Sequence, residues 1–145
     1  MKVESMLRAK GSSVITIQPW ATVEQAISHL VGPPKIGAVV VTGVPRGYTG
    51  IISERDVVRE MRRHGIALLQ MPVSEVMTQH VPHCAPGDSV ADVMVKMTRT
   101  RHRHLPVLSD GELVGVISIG DVVRSRLDEM ELEAGVLRDL YMARH

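Results

Sequence analysis

One ten-residue pattern occurs twice in this chain, and the repetition limits the possible folds more than any other feature. The segment 50–59, GIISERDVVR, recurs at 115–124 as GVISIGDVVR, with glycine, serine, aspartate, two valines and arginine matched at a fixed offset. Three further pairs of segments match in the same order: 3–7 with 73–77, 19–23 with 86–90, and 36–41 with 103–108. We interpret the chain as a tandem duplication of a unit of about sixty residues.

Each copy shows the same succession of hydrophobic patterns. In the second copy, turn and capping residues at 86–89 precede apolar residues at helical spacing from Val90 to Met97. Two apolar runs then flank the pair Asp110-Gly111, which predicts a β-hairpin, and a helix opens at Asp121. The order β-α-β-β-α predicts an α+β fold. Because so small a unit buries little apolar surface alone, we expect the two sheets to pack face to face around a shared core.

The pattern divides the chain into four parts. We expect repeat 1 at 1–64, a linker at 65–72, repeat 2 at 73–127 and a C-terminal helical tail at 128–145. The hairpin of repeat 1, Gly43 through Thr49, is longer than that of repeat 2 by two residues.

Composition excludes several classes of partner. The 145 residues carry a net charge of +1 and only 2% aromatic side chains, which argues against nucleic acid and against anionic membranes as partners. No apolar run approaches the length of about 18–20 residues that spans a bilayer. The single cysteine, Cys84, makes no intramolecular disulfide, and the N-terminus lacks a signal-peptide pattern. These features predict a cytoplasmic protein.

Two heptapeptides carry a resemblance to a known family. The segments GIISERD at 50–56 and GVISIGD at 115–121 stand in register at the end of the same β-α-β-β pattern, and RHLPV at 103–107 precedes the second hairpin. Over about Val3 to Leu127 the chain resembles a tandem pair of cystathionine-β-synthase (CBS) domains, a Bateman module. The resemblance implies a pseudo-twofold pair whose clefts bind AMP, ADP, ATP, NAD(H) or S-adenosylmethionine and which regulates another protein. With no second domain attached, we expect a free-standing module.

The Ser-x-x-Asp spacing has its own chemical logic. Ser53 and Ser118 end strands, and Asp56 and Asp121 open helices whose first N–H groups suit a phosphate, while the carboxylates can accept ribose hydroxyls. The same spacing is also an ordinary helix cap, and both interpretations can hold together. Arg55 adds a phosphate donor to the first copy.

The second copy has glycine where the first has Arg55. Its phosphate therefore needs positive charge from elsewhere, for which Arg101 and Arg103 are the candidates. Unequal sites are expected.

An adenine ring needs an apolar slot with backbone hydrogen bonds at its rim. Gly37 and Ala38 are small and would leave room for a ring. The alternative is that the same strand residues only form core. The candidate slot residues are Ile15, Thr16, Gly37, Ala38, Pro82, His104, Leu105 and Pro106.

The tail carries an apolar seam. Its residues follow alternating spacings of four and three: Val123, Leu127, Met130, Ala134, Leu137 and Tyr141. The seam either packs on its own domain or forms a homodimer contact, and the latter is favoured. Gly135 is expected to break the helix.

No catalytic or metal-binding set emerges. A zinc site built from His80, His83, His102 and His104 with Cys84 is disfavoured by the neighbouring arginines. A nucleophile–base pair of Cys84 and His83 is disfavoured because neighbours in an extended strand point to opposite faces. The sequence predicts a non-enzymatic adenine-nucleotide sensor that acts on an unidentified protein. The alternative is a ligand-independent dimeric scaffold with vestigial clefts.

Overall fold

The structure is a computed structural model, and it describes residues 1–11, 14–33, 36–43 and 50–144. The predicted hairpin segment 44–49 lies outside the described residues. The elements in chain order are α1 (Val3–Lys10), β1 (Thr16–Ile17), α2 (Val23–Val31), β2 (Ala38–Val41), β3 (Gly50–Ser53), α3 (Glu54–His64), two 3-10 helices (Gly65–Gln70 and Val73–Glu75), α4 (Val90–Thr100), β4 (His104–Ser109), β5 (Glu112–Ser118) and α5 (Ile119–Arg144).

Capping residues set the limits of the repeat helices. Thr22 accepts from the backbone N–H of Gln25, whose side chain accepts from the N–H of Thr22, so α2 begins with two satisfied donors. At the start of α4, Oγ of Ser89 accepts from the backbone N–H of Asp92 at 3.0 Å. Helix α2 ends at Gly32 with a positive φ of 71°, whereas α4 ends at Arg101 in the left-handed region with φ 60°. A non-glycine residue in that region carries a backbone cost.

The strands form one small sheet in each repeat. In repeat 1 the order is β1-β2-β3, with β1 parallel and β3 antiparallel to β2. In repeat 2, β4 and β5 form an antiparallel hairpin, and the extended piece expected at 81–84 is reduced to a single parallel bridge between Cys84 and Val107. That bridge occupies the place that β1 has beside β2.

The strand register corrects one predicted pairing of the repeats. Ala38 lies opposite Ser53, and His104 lies opposite Ser118, so Ala38 is the structural equivalent of His104. The sequence comparison aligned Gly37 with His104 and was wrong by one residue. Apolar residues look alike along a strand, so the sequence does not show which residue of one strand matches which residue of the other. A bulge between Val107 and Leu108 also changes the number of residues between His104 and the second motif.

The sheet of repeat 1 is buried on both faces. Val39, Val41 and Ile52 point into a cluster with α2, whereas Val40 and Ile51 join the core of repeat 2. The alternation follows from the two-residue period of a strand. The expected shared core is therefore confirmed, and the two repeats pack as a tandem pair.

Each repeat is completed by the segment that precedes the other repeat. Helix α1 comes before repeat 1 but packs on repeat 2, where the N–H groups of Val3 and Glu4 donate to the carbonyls of Asp88 and Pro86 at 2.9 Å. Val73, at the start of repeat 2, is fully buried in the core of repeat 1, and its N–H donates to the carbonyl of Ala21 at 2.8 Å. We call α1 and residues 73–78 the exchanged segments.

The motif glycines make room for these exchanged segments. A Cβ on Gly115 would lie 2.6 Å from Cδ2 of Leu7 in α1, and a Cβ on Gly50 would lie 2.7 Å from the carbonyl oxygen of Thr78. Any larger residue would therefore push on the opposite exchanged segment.

The expected linker also contributes to the core. Residues Gly65–Gln70 form a 3-10 helix, and Leu68 within it is fully buried against α2 and the sheet of repeat 1. Burial of one leucine contributes about 1.5–3 kcal/mol, so this segment is a structural part of repeat 1.

Helix α5 is longer and more exposed than its sequence suggests. It continues for 26 residues without the break predicted at Gly135, because one glycine costs a helix only about 1 kcal/mol. Val122 and Ser125 are its buried residues. Along the predicted seam, Leu127, Leu137 and Tyr141 are 54–68% exposed, so the seam does not pack on its own domain.

Candidate functional site

Ser53 and Asp56 form a reciprocal cap at the first turn of α3. The N–H of Ser53 donates to Oδ2 of Asp56 at 2.8 Å, and the N–H of Asp56 approaches Oγ of Ser53 at 3.5 Å. Ser53 is the N-cap residue of α3, and its partner Asp56 lies three residues later in the chain. The capping interpretation of Ser-x-x-Asp thus holds, and it leaves the first turn of α3 facing outward.

The carboxylate of Asp56 is buried and fully engaged. Only 4% of the residue is exposed. Its Oδ1 accepts from the hydroxyl of Thr78 at 2.7 Å and from Nη2 of Arg59 at 3.0 Å, in addition to the two contacts with Ser53. Thr78 belongs to an exchanged segment, so this carboxylate joins the motif of repeat 1 to the start of repeat 2.

A cavity of about 550 Å³ opens in front of this cap. Its two walls come from different repeats, because the segment between α4 and β4 lies opposite the first turn of α3. Ile51 and Val81 supply apolar surface between the walls. The cavity is lined by Gly37, Ile51, Ser53, Glu54, Arg55, Asp56, Arg59, Thr78, Val81, Arg101, His102, Arg103 and His104.

His104 occupies the space beside Gly37. A Cβ at Gly37 would collide with the imidazole ring, so the room expected there for an adenine is partly taken by this histidine. Burial lowers the pKa of His104 below its usual value. The nearby charges of Lys10 and Arg103 lower that pKa further, while those of Asp121 and Asp56 oppose them. His104 is therefore neutral at pH 7.

The second motif has different partners. The N–H of Ser118 donates to Oδ2 of Asp121 at 2.9 Å, and Nζ of Lys10 lies 2.7 Å from the same oxygen. Lys10 also donates to the carbonyl of Val116 at 2.9 Å. Burial pushes the pKa of Asp121 upward, but the hydrogen bonds from Lys10 and Ser118 outweigh burial and hold the pKa below its usual range.

Seven of the residues named from the sequence meet at the cavity, and they come from both repeats. They are Gly37, Ser53, Arg55, Asp56, Arg101, Arg103 and His104. Arg101 and Arg103 were expected to serve the second motif. The structure places them beside the first motif instead, because that motif faces the segment that enters β4 of repeat 2.

The remaining named residues do not line this cavity. Leu105 is fully buried, and Pro106 is a buried strand residue whose carbonyl accepts from the N–H of Cys84, so both belong to the core, as the alternative interpretation held. Thr16 is exposed on β1 and pairs with Val40. Those outside the cavity lining are Ile15, Thr16, Ala38, Pro82, Leu105, Pro106, Ser118 and Asp121.

Sequence reasoning missed two residues that line the cavity, Arg59 and Thr78, and one that contacts the second motif, Lys10. Arg59 follows Asp56 by three residues, and helical spacing could have identified it as a partner of that carboxylate. Thr78 and Lys10 reach the motif aspartates only because the exchanged segments cross over, and the sequence contains no signal for that crossing.

Three further observations concern metal ligands, the cysteine thiol and the helices of the described residues. The described residues contain no group of three or more His, Cys, Asp or Glu side chains placed to hold a metal ion. Burial raises the pKa of the Cys84 thiol to about 11, which leaves it protonated and unreactive at pH 7. Within the described part of the chain, no helix has the length and hydropathy that a bilayer crossing requires.

Comparison with known proteins places both repeats in one family. The family model for the CBS domain matches residues 10–63 and 73–128. A crystal structure of a CBS-domain-containing protein from Agrobacterium tumefaciens is 41% identical with a TM-score of 0.82, covering 87% of this chain and 99% of that one.

Curated relatives agree. The CBS domain-containing protein CBSX3, mitochondrial, of Arabidopsis thaliana is 31% identical over 134 residues, which cover 88% of this chain and 65% of the relative. The chain thus spans just under two thirds of that relative's length. An uncharacterized 17.7 kDa protein of Acidianus ambivalens is 30% identical over 125 residues, covering 86% of this chain and 74% of the relative.

Two further structures share the fold at lower identity. CBSX2 in complex with AMP is 22% identical with a TM-score of 0.71, covering 89% of this chain and 98% of that one. A CBS domain pair in complex with 5′-methylthioadenosine and S-adenosyl-L-methionine is 21% identical with a TM-score of 0.76, again covering 89% and 98%. The likeness in these two cases is one of fold. With both repeats matched and the motifs in equivalent places, the chain belongs to the CBS-domain family as a tandem pair.

Proposed function

We propose that this CBS pair is a non-enzymatic regulatory module that binds an adenine nucleotide, AMP, ADP, ATP or NAD(H), and modulates a partner protein. The observation that carries the proposal is the cavity of about 550 Å³ in which the capped first turn of α3 faces an arginine-rich wall from the other repeat. Its size is within the usual range for small-molecule sites. Proteins of the same fold bind AMP or S-adenosyl-L-methionine, which supports an adenosine ligand.

Each wall of the cleft has a distinct role in this proposal. The first turn of α3 and Arg55 would bind phosphate, because unsatisfied N–H groups and a guanidinium both favour anionic oxygens. Ile51 and Val81 offer apolar surface to the base. Asp56 would accept ribose hydroxyls.

Ribose binding requires one rearrangement. Oδ1 of Asp56 is held by Arg59 and Thr78, so a ribose hydroxyl must displace one of them. Arg59 is the side chain able to leave, since 51% of it is exposed whereas the carboxylate is 6% exposed. Once released, Arg59 remains at the cavity and can contact the ligand.

Regulation follows from the position of the cleft. A ligand that touches both repeats binds one relative orientation of the repeats better than another, and coupling of this kind amounts to about 1–3 kcal/mol. The exposed seam of α5 would join two copies in a homodimer, so that the change reaches a partner protein. We place this activity in the cytoplasm, although one relative is named as mitochondrial.

Native mass spectrometry of the purified protein is the first experiment. The intact mass reports monomer or dimer, and mild denaturation releases and identifies any bound ligand. If the protein is empty, a thermal-shift series with AMP, ADP, ATP and NAD(H) follows, because a ligand that binds only the folded state raises the melting temperature. A flat series across all four would overturn the proposal.

A substitution then locates the site. Asp56→Asn keeps the size of the side chain but weakens its acceptance from Arg59 and from ribose, so we expect at least about tenfold weaker nucleotide binding. Alanine is a poorer choice, since it would leave Ser53 and Thr78 without a partner and cost about 1–3 kcal/mol of stability. Asp139→Asn, on the exposed part of α5, is the matched control and should bind like the wild type.

A ligand-independent dimeric scaffold is the second candidate. The exposed apolar residues of α5 favour it, because Leu132, Leu137 and Leu140 are 58–70% exposed on one helix. In that case dimerisation persists while the complete nucleotide series leaves the melting temperature unchanged.

A further inference from the structure

Three arginines meet in the cleft without acidic partners. Across residues 1–11, 14–33, 36–43 and 50–144, no carboxylate lies within ion-pair distance of Arg55, Arg101 or Arg103. Arg59, the fourth arginine of the cavity, is paired with Asp56 at 3.0 Å and with Glu60 at 3.3 Å. Among the described residues that line the cavity, these four arginines face two carboxylates, those of Glu54 and Asp56, so positive charge is in excess.

This concentration of positive charge is local. The whole chain has 17 basic and 16 acidic residues, so an average region is close to neutral. Three like charges around one cavity repel each other, and the repulsion is relieved only by counter-ions or by an anionic ligand. A ligand with several negative charges relieves it more than a ligand with one phosphate.

The backbone at Arg101 adds an independent observation. Arg101 ends α4 in the left-handed region with φ 60° and ψ 33°. Glycine is the residue that adopts this conformation without cost, so an arginine at this position is less favourable for the backbone than a glycine would be. Its side chain lines the cavity.

We infer that the cleft of repeat 1 selects adenosine ligands by their number of phosphates, in the order ATP, ADP, AMP, and disfavours 5′-methylthioadenosine and S-adenosylmethionine. The inference rests on the nucleotide-binding function proposed above. The α3 first turn and Arg55 hold the phosphate nearest the ribose, and Arg101 and Arg103 on the opposite wall hold the outer phosphates. The sulfonium and ammonium groups of S-adenosylmethionine would add positive charge to a wall that already has an excess of it.

Titration calorimetry with five metal-free ligands tests this order. We expect ATP to bind at least about tenfold more tightly than AMP, because each further phosphate can accept charge-assisted hydrogen bonds from Arg101 and Arg103. Raising the NaCl concentration from about 50 to about 300 mM should weaken ATP binding by a larger factor than AMP binding, because salt screens each added charge. 5′-Methylthioadenosine and S-adenosylmethionine should bind more weakly than AMP.

The variant Arg101→Gly separates the ligand role from a structural role. Glycine relieves the left-handed backbone, so the melting temperature should stay the same or rise, while ATP binding weakens by about tenfold and AMP binding changes less. Arg99→Gln is the control, because Arg99 is an exposed residue of α4 that does not line the cavity. It removes the same charge and should leave both affinities unchanged.

The outcomes separate selection by phosphate number from the nucleotide-binding function on which it rests. Equal affinities for AMP, ADP and ATP, or S-adenosylmethionine binding as tightly as ATP, would overturn selection by phosphate number while the nucleotide site stands. Inorganic tripolyphosphate binding as tightly as ATP, with no contribution from adenosine, would overturn the nucleotide function and leave only an anion site. Equal weakening by Arg99→Gln would show that the effect of Arg101 is one of overall charge.

Discussion

Asp56 and Asp121 hold equivalent positions in the two motifs, yet different parts of the chain neutralise them. The cation beside Asp56 is Arg59, from the same helix, whereas the cation beside Asp121 is Lys10, from an exchanged segment. The surroundings of the two motifs therefore differ in their charged groups although the motifs match. This asymmetry makes two residue-level predictions possible.

Lys10→Met should raise the pKa of Asp121 toward its usual value and cost about 0.5–1 kcal/mol of stability at pH 7, because the lysine is partly exposed. The pKa of Asp121 is lowered in the folded state, so the stabilisation is present above the unfolded pKa of about 3.9 and is lost as pH falls through the folded value. Urea unfolding from pH 7 to pH 3 measures the difference, which should shrink in acid. Arg8→Met, on the exposed side of α1, is the control, and an equal loss there would contradict the prediction.

His104 should make the fold sensitive to mild acid. Its pKa is lowered by burial and by Lys10 and Arg103, against Asp121 and Asp56, so the neutral ring is the stable form. The associated stability is present above the unfolded pKa of about 6.5 and is lost as pH falls through the lowered value. Melting temperatures of ligand-free wild type and His104→Gln between pH 7.5 and pH 5 should differ in slope, with the wild type falling more steeply. Parallel curves would assign the acid sensitivity to other groups.

At the level of secondary-structure elements, each exchanged segment lies close against a strand at a glycine, at Gly115 for α1 and at Gly50 for residues 73–78. The contact at Gly50 involves a backbone carbonyl that also accepts from the N–H of Ile51 at 3.0 Å. The contact at Gly115 involves the end of the Leu7 side chain, which is able to rotate. The two equivalent glycines should therefore tolerate substitution unequally.

Gly50→Ala should lower the free energy of unfolding by about 2–3 kcal/mol and Gly115→Ala by about 1–2 kcal/mol. The cost is larger at Gly50 because the backbone carbonyl of Thr78 can move less than the end of the Leu7 side chain. Gly50→Ala should also weaken nucleotide binding, since it displaces Thr78, which holds Asp56. Chemical denaturation and nucleotide titration measure both effects. Gly87→Ala is the control, because a Cβ there meets nothing within 4 Å and the change should be neutral or slightly stabilising. Equal costs at positions 50 and 115 would refute the distinction.

At the level of the whole molecule, α5 decides whether the chain acts alone. Its final turns extend past the body of repeat 2 and carry apolar residues on more than one side. A free surface of this kind favours association with a second copy.

Leu137→Glu should convert the proposed dimer to a monomer, because it places a charge in the seam formed with Leu127, Met130 and Tyr141. Light scattering after size-exclusion chromatography measures the mass. Leu132→Glu introduces the same charge on the opposite side of the helix and should leave the dimer intact. If only Leu132→Glu dissociates the dimer, the dimer contact lies on the opposite face of α5 from the one proposed.

The sequence predicted the tandem α+β fold because the duplicated motif marks both strand ends and both helix starts. It also predicted half of the cleft, since Ser53, Arg55 and Asp56 belong to that motif. It did not assign Arg101 and Arg103 to the correct cleft, and it gave no indication of Lys10 or Thr78. Those positions depend on which repeat each segment packs against, and this long-range pairing leaves no local pattern in the chain.

The exchange of leading segments has a consequence for how such a protein arises. A single repeat on its own would lack the exchanged segment that covers its core, and it could obtain this segment only from another copy of itself. Two identical short polypeptides would therefore interlock as a symmetric pair, and joining their genes end to end would preserve that interlocked arrangement. Once joined, the halves no longer need to be identical, so one motif can keep Arg55 while its counterpart carries Gly120.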